Sequence, residues 1–395
     1  MQDFYADLHI HIGRTRTGRP VKITGSRTLT IDRILEEASL RKGLDIVGVI
    51  DCHVPEVLDE IEAMKESGRV CELQEGGLRF EKVTLILGCE IEVKDAFCQG
   101  PIHVLAYLPT LKTMRAFSEW LGKHVTNNTL STQRFFGYGK EIQEKVKDLG
   151  GLFIPAHVFT PFKSVYGVGV KQSISEILDP DLIDAIELGL SSDTEMADQL
   201  EELHRYPFVT NSDAHSLKKI AREYQTFRLE QATFTELSLA LKHKEGRDIV
   251  ANYGLNPRLG KYHRTRCAAC LSVIEAYHQG DRCPDCGHKR VVKGVRDRLE
   301  ELKSAKTSGP HRPPYIHQVP LEFIPKLGPK TLEKLLVHFG TEMNVLHQAT
   351  AADLTVLVGP SLSQLIIAAR EGTLAVETGG AGRYGRVTMN SEMEK

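Results

Sequence analysis

The stretch Asp7-Leu8-His9-Ile10-His11 ends the apolar run that opens the chain, and Asp213-Ala214-His215 ends another about two hundred residues later. On a β-strand, residues i and i+2 point to the same face. His9 and His11 can therefore grip one ion side by side, as can Asp213 and His215. That geometry suggests a metal-dependent hydrolase.

The segment between these motifs supplies more donors in the same setting. Asp51 and His53 follow Ile46-Val47-Gly48-Val49-Ile50, Glu90 follows the run Val83 to Cys89, His103 precedes Val104-Leu105-Ala106, and His157 follows Leu152-Phe153-Ile154-Pro155-Ala156. One histidine on an apolar stretch is usually a satisfied core or turn residue, but six histidines and three carboxylates placed this way argue otherwise. Mixed His and carboxylate donors suit Zn²⁺, Mn²⁺ or Fe²⁺ better than the all-oxygen cage of Mg²⁺. A four-coordinate catalytic ion takes three protein ligands and a water, so this many donors implies two or three divalent metals, with Glu90 as the bridge. Clustered metals favour phosphoester chemistry, because they acidify a bound water and clamp the attacking and leaving oxygens.

In this order, the His9/His11 pair, Asp51 and His53, Gly88-Cys89-Glu90, His103, Ala156-His157 and the Asp213/His215 pair resemble the motifs of the polymerase and histidinol phosphatase (PHP) superfamily. The resemblance covers residues 1–255 and implies a distorted β/α barrel with a trinuclear metal site. Many members carry a further histidine soon after the first pair. Here the segment reads Gly13-Arg14-Thr15-Arg16-Thr17-Gly18-Arg19, which puts the third metal in question. Arg14 and Arg16, leaving a strand end beside the metals, are candidates to hold phosphate oxygens.

A chain of 395 residues with 41% hydrophobic content should form two or three domains with a sizeable core. No apolar run approaches the length of a membrane span, and the opening strand leaves no room for a signal peptide, so a cytoplasmic location is expected, nucleoid-associated in a prokaryote. The net charge of −2 hides an asymmetry: from Arg258 to Arg312 there are 13 Lys and Arg against 6 Asp and Glu. Such a basic stretch is the usual footprint of a polyanion partner.

Within it, Cys267-Ala-Ala-Cys270 and Cys283-Pro-Asp-Cys286 stand 12 residues apart. Two such knuckles close a tetrahedral four-thiolate site, so residues 256–303 are expected to form a ribbon around one structural Zn²⁺, apart from the catalytic metals. Residues 304–318, rich in Pro, Gly and polar side chains, are expected to be a linker or long surface loop.

Beyond the linker a pattern occurs twice. Ile324-Pro-Lys326-Leu-Gly328-Pro-Lys330 opens one amphipathic helix, and Leu357-Val-Gly359-Pro-Ser361 opens another, with the glycines 31 residues apart. Residues 319–380 resemble a tandem helix-hairpin-helix domain. That resemblance implies that backbone N–H groups at Gly328 and Gly359, with Lys326, Lys330 and Ser361, approach DNA phosphates. Lys326 stands where many hairpins have a further glycine. The tail, 381–395, is expected to be flexible, with Arg383 and Arg386 free to contact nucleic acid.

The fold class expected is therefore α/β, a PHP-type distorted barrel followed by a small zinc ribbon and an all-α helix-hairpin-helix domain. This whole arrangement resembles the endonuclease Q family. The resemblance implies a DNA repair endonuclease that cuts 5′ to deaminated or abasic nucleotides (deoxyuridine, hypoxanthine, xanthine, abasic sites), leaving 3′-hydroxyl and 5′-phosphate ends. His9, His11, His53, Glu90, His103, His157, Asp213 and His215 would be the metal ligands, and Asp7 and Asp51 would orient them, with Asp51 a further candidate ligand. The partner would be double- or single-stranded DNA with a damaged base, flipped out where pairing is weak, and no membrane; partner proteins of repair or replication stay open. The loops Phe159 to Val170 and Leu190 to Glu195 are candidate walls of the base pocket, with Phe162, Lys163 and Tyr166 as contacts. Three readings compete: a PHP-type 3′–5′ exonuclease, a small-molecule phosphoesterase, and a non-catalytic damage-binding protein.

Overall fold

The computed structural model describes residues 1–260, 262–275, 282–306, 309–377 and 386–388. Strand Gln2–Ile10 pairs in parallel with Ile46–Val49, and that strand in parallel with Val83–Val93. Ile102–Leu108 runs antiparallel to both of its neighbours, Val83–Val93 and Leu152–Pro155. Two short parallel strands, Ile186–Glu187 and Phe208–Val209, complete the ring. Asp184 N donates to Phe153 O at 3.0 Å on one side, and Ala214 bridges Ile10 on the other. The expected distorted barrel is formed. Tyr224–Leu229 also pairs with the first half of the opening strand and leads outward to Asp248–Gly254 and Tyr315–His317.

The ring strands are buried on both faces, which is why they read as continuous apolar runs. Ala6, Leu8, Ile46, Ile86, Leu105, Tyr107 and Ile154 fill the inner core. Val47, Val49, Leu87, Val104 and Phe153 face an outer core built with Ile34, Leu58, Phe117 and Ile142 from the surrounding helices.

Two irregularities aim the site. Phe4, Ala6 and Leu8 belong to the inner core but Ile10 and Ile12 to the outer one, so the alternation inverts at His9, where the register against the second strand shifts between Asp7 and Ile10. A bulge of this kind re-aims side chains, and here it turns His9 and His11 toward the barrel axis. The second irregularity is the reversed strand. Because Ile102–Leu108 runs against its neighbours, its start lies at their C-terminal ends, which brings His103 level with Glu92 and near Glu90.

In the ribbon, Arg266–Cys267 pairs with Val291–Val292, and helix Val295–Leu302 docks on the barrel through Arg298, which donates to the carbonyls of Tyr166 (2.8 Å) and Val170 (3.0 Å). The C-terminal region contains helices Pro329–Phe339, Glu342–His347, Ala351–Val358 and Pro360–Arg370, with Pro at the first position after Gly328 and after Gly359. Only a 3₁₀ turn, Leu321–Phe323, precedes the first hairpin.

The segment expected as a linker is held down instead. Arg312 pairs with Asp198 at 2.9 Å and lies 3.7 Å over the Phe208 ring, and Tyr315–His317 joins the sheet. Its Pro-rich composition excludes helix but does not prevent a polar segment from being anchored side chain by side chain. In the tail, Arg386–Thr388 pairs with Ala375–Glu377, so Arg386 sits in a strand; Arg383 lies outside the described residues.

Candidate metal centre

Three overlapping groups of donors converge at the C-terminal end of the barrel: His9, His11 and Glu90; His11, Asp213 and His215; and Glu90, His103 and His157. Glu90 Oε1 lies 3.7 Å from His9 Nε2 and 3.4 Å from His157 Nε2, while Oε2 lies 3.6 Å from His11 Nε2. Asp213 Oδ1 is 3.6, 3.5 and 3.3 Å from the Nε2 atoms of His9, His11 and His215.

These separations lie at or beyond the long end of hydrogen-bond distance and suit two donors on a common ion. Two buried nitrogens here, His9 Nε2 and His53 Nδ1, have no hydrogen-bond partner, while His103 Nδ1 lies 2.8 Å from Glu90 Oε1. Orphaned buried donors are costly, and a divalent metal would satisfy them. The backbone is strained at the same place: His157 (φ 31°) and Asp213 (φ 46°) adopt left-handed conformations without being glycine. Gly189 makes room for the first of these, because a Cβ there would stand 2.7 Å from that of His157.

Further carboxylates hold the rings. Asp51 accepts from His11 Nδ1 (3.0 Å) and from Ile12 N (2.8 Å). Glu187 lies 3.0 Å from His9 Nδ1 and accepts from Asn211 (2.8 Å) and His157 N (2.9 Å). In His9 and His11 Nδ1 is taken and Nε2 is left facing the cluster. Burial would lower His9, but Glu187, Asp213 and Glu90 outweigh it and raise the ring to about 10. Burial would raise Glu90, yet His103 and Lys22 hold it well below the usual range.

Several expectations are corrected. His53 is buried and belongs to none of the three groups, the second strand ending at Val49 before residues 51–53 lead into helix Pro55–Glu66, but its Nδ1 has no hydrogen-bond partner. Asp7 touches no ligand ring; its carboxylate accepts from Ser212 N (3.1 Å) and Ala221 N (2.9 Å), pinning the loop that carries Asp213. Arg14 donates to Gly18 O (2.8 Å) and Arg16 pairs with Asp32, so neither faces the cluster. Tyr166 is fully buried, stacked on Phe159 at 5.3 Å with its hydroxyl on Glu202.

The cluster floors a cleft of about 590 Å³ whose walls include Thr160, Phe162, Lys163, Leu190, Ser191 and Tyr262. Both loops expected as walls contribute. Phe162, 45% exposed, meets Tyr262 edge-on at 5.5 Å, so the ribbon region supplies part of the wall. Lys22, Lys219 and Arg222 also line it.

The sequence reading missed Glu187, Lys22 and Tyr262. Glu187 had a signal, since it ends Ile183-Asp-Ala-Ile186 as the other donors end their strands; Lys22 and Tyr262 had none.

In the ribbon, Cys267 Sγ lies 3.6 Å from Cys286 Sγ, and Cys270 Sγ 3.5 Å from Cys283 Sγ. Disulfide sulfurs would be about 2 Å apart, whereas four thiolates about 2.3 Å from one zinc stand about 3.8 Å apart. Hydrogen bonds from Ser272 and its backbone lower Cys270 to about 6, while Cys286, despite the His288 N–H, is raised to about 12 by the neighbouring sulfurs, so charge at one sulfur opposes charge at the next until an ion joins them.

Barrel and strand-end donors together define a metal-dependent hydrolase. No family model matches the chain. It is 54% identical to the uncharacterised Bacillus subtilis (strain 168) protein YqxK over 387 residues, 98% of this chain and all of that one. Its structure matches the crystal structure of the lesion-specific endonuclease PfuEndoQ from Pyrococcus furiosus with a TM-score of 0.85 and 32% identity, covering 100% of this chain and 97% of that one. An endonuclease Q crystallised with a 27-mer duplex carrying an abasic lesion at the active site matches with a TM-score of 0.84 and 32% identity, over 100% and 98% of the two chains. The chain belongs to the endonuclease Q family.

Proposed function

We propose that this protein is a lesion-specific DNA endonuclease that cuts 5′ to deaminated or abasic nucleotides, leaving 3′-hydroxyl and 5′-phosphate ends. The observation that carries this reading is the full-length match to an endonuclease Q holding an abasic duplex at its active site, a match that includes ribbon and hairpins as well as barrel.

His9, His11, Glu90, His103, His157, Asp213 and His215 hold the divalent metals, with Asp51 and Glu187 fixing the rings. When bound, such metals supply an acidified water and neutralise charge at phosphorus. The chain's own cations do the rest of the phosphate handling: Lys22, Lys219 and Arg222 line the cleft, where a phosphodiester drawn toward the donors meets positive charge on several sides. Phe162 and Tyr262 offer aromatic surface to a nucleotide taken out of the stack. Lys163 stands beside them but is paired with Glu92 at 2.9 Å.

Gly328 and Gly359 let the duplex backbone approach two helix N-termini. A Cβ at either position would meet nothing within 4 Å, so the space above both glycines is open. Lys326, Lys330 and Ser361, all exposed beside them, add charge and a hydroxyl.

The test uses end-labelled duplexes with one deoxyuridine, hypoxanthine, xanthine or abasic site, beside an undamaged control, with Mg²⁺, Mn²⁺ or Zn²⁺. A single metal-dependent nick 5′ to the lesion is expected. Asp213→Ala should abolish the nick and keep duplex binding. Ladders from a 3′ end would indicate an exonuclease, phosphate release from small monoesters a phosphatase, and tight binding without cleavage a damage-binding protein.

A further inference from the structure

Beside the metal centre a second surface is built from aromatic side chains left in solvent. Ser131 Oγ lies 3.3 Å from His11 Nδ1 and Thr132 donates to Glu90, so the segment from Ser131 to Tyr138 starts at the cluster. It then runs outward beside the strand Val83–Val93, Arg134–Phe135 pairing in parallel with Glu92–Val93. Alternation buries Phe135 against Trp120 (5.3 Å) and His124 (5.1 Å) and turns Arg134 and Phe136 to solvent. The Arg134 guanidinium lies 5.9 Å from the centre of the Phe136 ring.

A neighbouring loop adds to the surface. Asp95 accepts from Phe97 N (2.9 Å) and Cys98 N (3.2 Å) in its own loop and from Gly139 N (3.1 Å) across from it, pinning the two segments together. Phe97 and Tyr138 meet at 5.8 Å between ring centres. Phe97 and Phe136 are each 60% exposed and Tyr138 48%, at an open groove of about 520 Å³ lined by Lys94, Arg134, Phe136 and Tyr138. One exposed apolar side chain is ordinary, but three rings held in one patch mark an interaction site.

Charge and distance name the occupant. Lys94 and Arg134 have no carboxylate partner among the described residues, and the acid in the groove, Asp95, is taken up by three backbone amides, so the lining favours a polyanion. Lys94 follows Glu90 by four residues along an extended strand, which is about 13 Å, or about four base steps of stacked nucleic acid. A strand whose phosphate lies at the cluster reaches the patch a few nucleotides on. Base faces are hidden inside a duplex, and rings of this kind stack only on unpaired bases.

We propose that Phe97, Phe136 and Tyr138, flanked by Lys94 and Arg134, form a stacking platform for unpaired nucleotides of the strand that enters the metal centre; this rests on the reading of the chain as a DNA endonuclease but on neither the lesion nor the position of the cut. The hairpins face duplex backbone, and the platform takes the single strand.

The experiment is fluorescence anisotropy of the full-length protein, without added catalytic metal, against a labelled undamaged oligothymidine and an undamaged duplex of equal length at matched salt. Replacing Phe97 and Phe136 together by alanine should weaken single-strand binding roughly 10- to 100-fold, the range for losing one or two stacked bases, and leave duplex binding nearly unchanged. Phe136→Trp, which keeps a ring, should bind the single strand as the wild type does. Unchanged single-strand binding by the double variant would overturn the proposal and leave the patch as a surface for a protein; an equal loss on strand and duplex would overturn it as well. A wild type that nicks lesions while the double variant still holds the single strand would defeat this inference alone. Loss of strand binding on mutation, in a protein that leaves every lesion uncut, would defeat only the proposed function.

Discussion

At the residue scale the site turns on carboxylates that bind no metal. Glu187 is fully buried among His9, Asn211 and the amide of His157, so one side chain fixes the ring of one ligand and the strained backbone of another. A glutamine there keeps the volume but has one oxygen for three donors. Glu187→Gln should weaken metal binding roughly 10- to 100-fold, the usual effect of losing a ring-orienting carboxylate. Competition against a fluorescent chelator would measure this, and an unchanged affinity would mean that packing alone orients His9. The sequence showed the donors because each ends an apolar strand, a pattern that survives without knowing the fold. His53 stands outside the three groups because the strand before it ends at Val49, which the resemblance could not show. The sequence reading misassigned Arg14 and Arg16 because their partners, Gly18 O within the loop and Asp32 in a helix, show only once the chain is folded. The inversion at His9 was also invisible: the sequence states which residues alternate but not where a bulge resets the phase.

At the scale of elements, the two hairpins look alike in sequence but place different demands on their glycines. Gly359 sits at φ 84° and ψ 162°, a conformation open essentially only to glycine, so Gly359→Ala should cost roughly 1–3 kcal/mol of stability. Gly328 sits at φ −78° and ψ 167°, ordinary extended backbone, and a Cβ there would touch nothing. The fold itself does not require glycine at 328. Close approach of a partner backbone would. Gly328→Ala should therefore leave the melting temperature nearly unchanged, since a poorer N-cap and a stiffer unfolded chain act in opposite directions. Duplex affinity should fall by the same factor for damaged and undamaged DNA, because phosphate contacts carry no sequence information. Fluorescence anisotropy at matched salt is the measurement, and equal binding by wild type and Gly328→Ala would remove this hairpin from the DNA interface. Lys326 takes the left-handed conformation, φ 66°, at the position where the sequence comparison noted a missing glycine. The hairpin is thus formed with backbone strain rather than abandoned.

At the scale of the whole molecule, barrel and C-terminal helices are locked together by buried polar contacts. Lys42 Nζ meets Glu342 at 3.0 Å, and the His347 ring stacks on Tyr5 at 4.6 Å while its Nε2 lies 2.7 Å from the Tyr224 hydroxyl. That hydroxyl donates to Gln318, so His347 meets it as the donor, in the neutral Nε2-protonated form. None of this docking could be read from the sequence, because its residues come from separate segments that share no periodicity. Burial and then Arg370 lower His347 to about 4, against about 6.5 in an unfolded chain. A depressed histidine favours the folded state above its unfolded value and loses that contribution as pH falls toward the folded one. The docked helices should hold from neutral pH down to about 6.5 and loosen progressively toward pH 4, by about 3 kcal/mol at most. Hydrogen exchange of Glu342–His347, followed from pH 7 to pH 5 with correction for the intrinsic rate, should show protection falling in the wild type. In His347→Gln, which can still donate to Tyr224 but cannot take up a proton, it should fall less steeply. Glu223, raised by burial to about 8, titrates alike in both proteins, so parallel slopes would show that the histidine does not govern the interface.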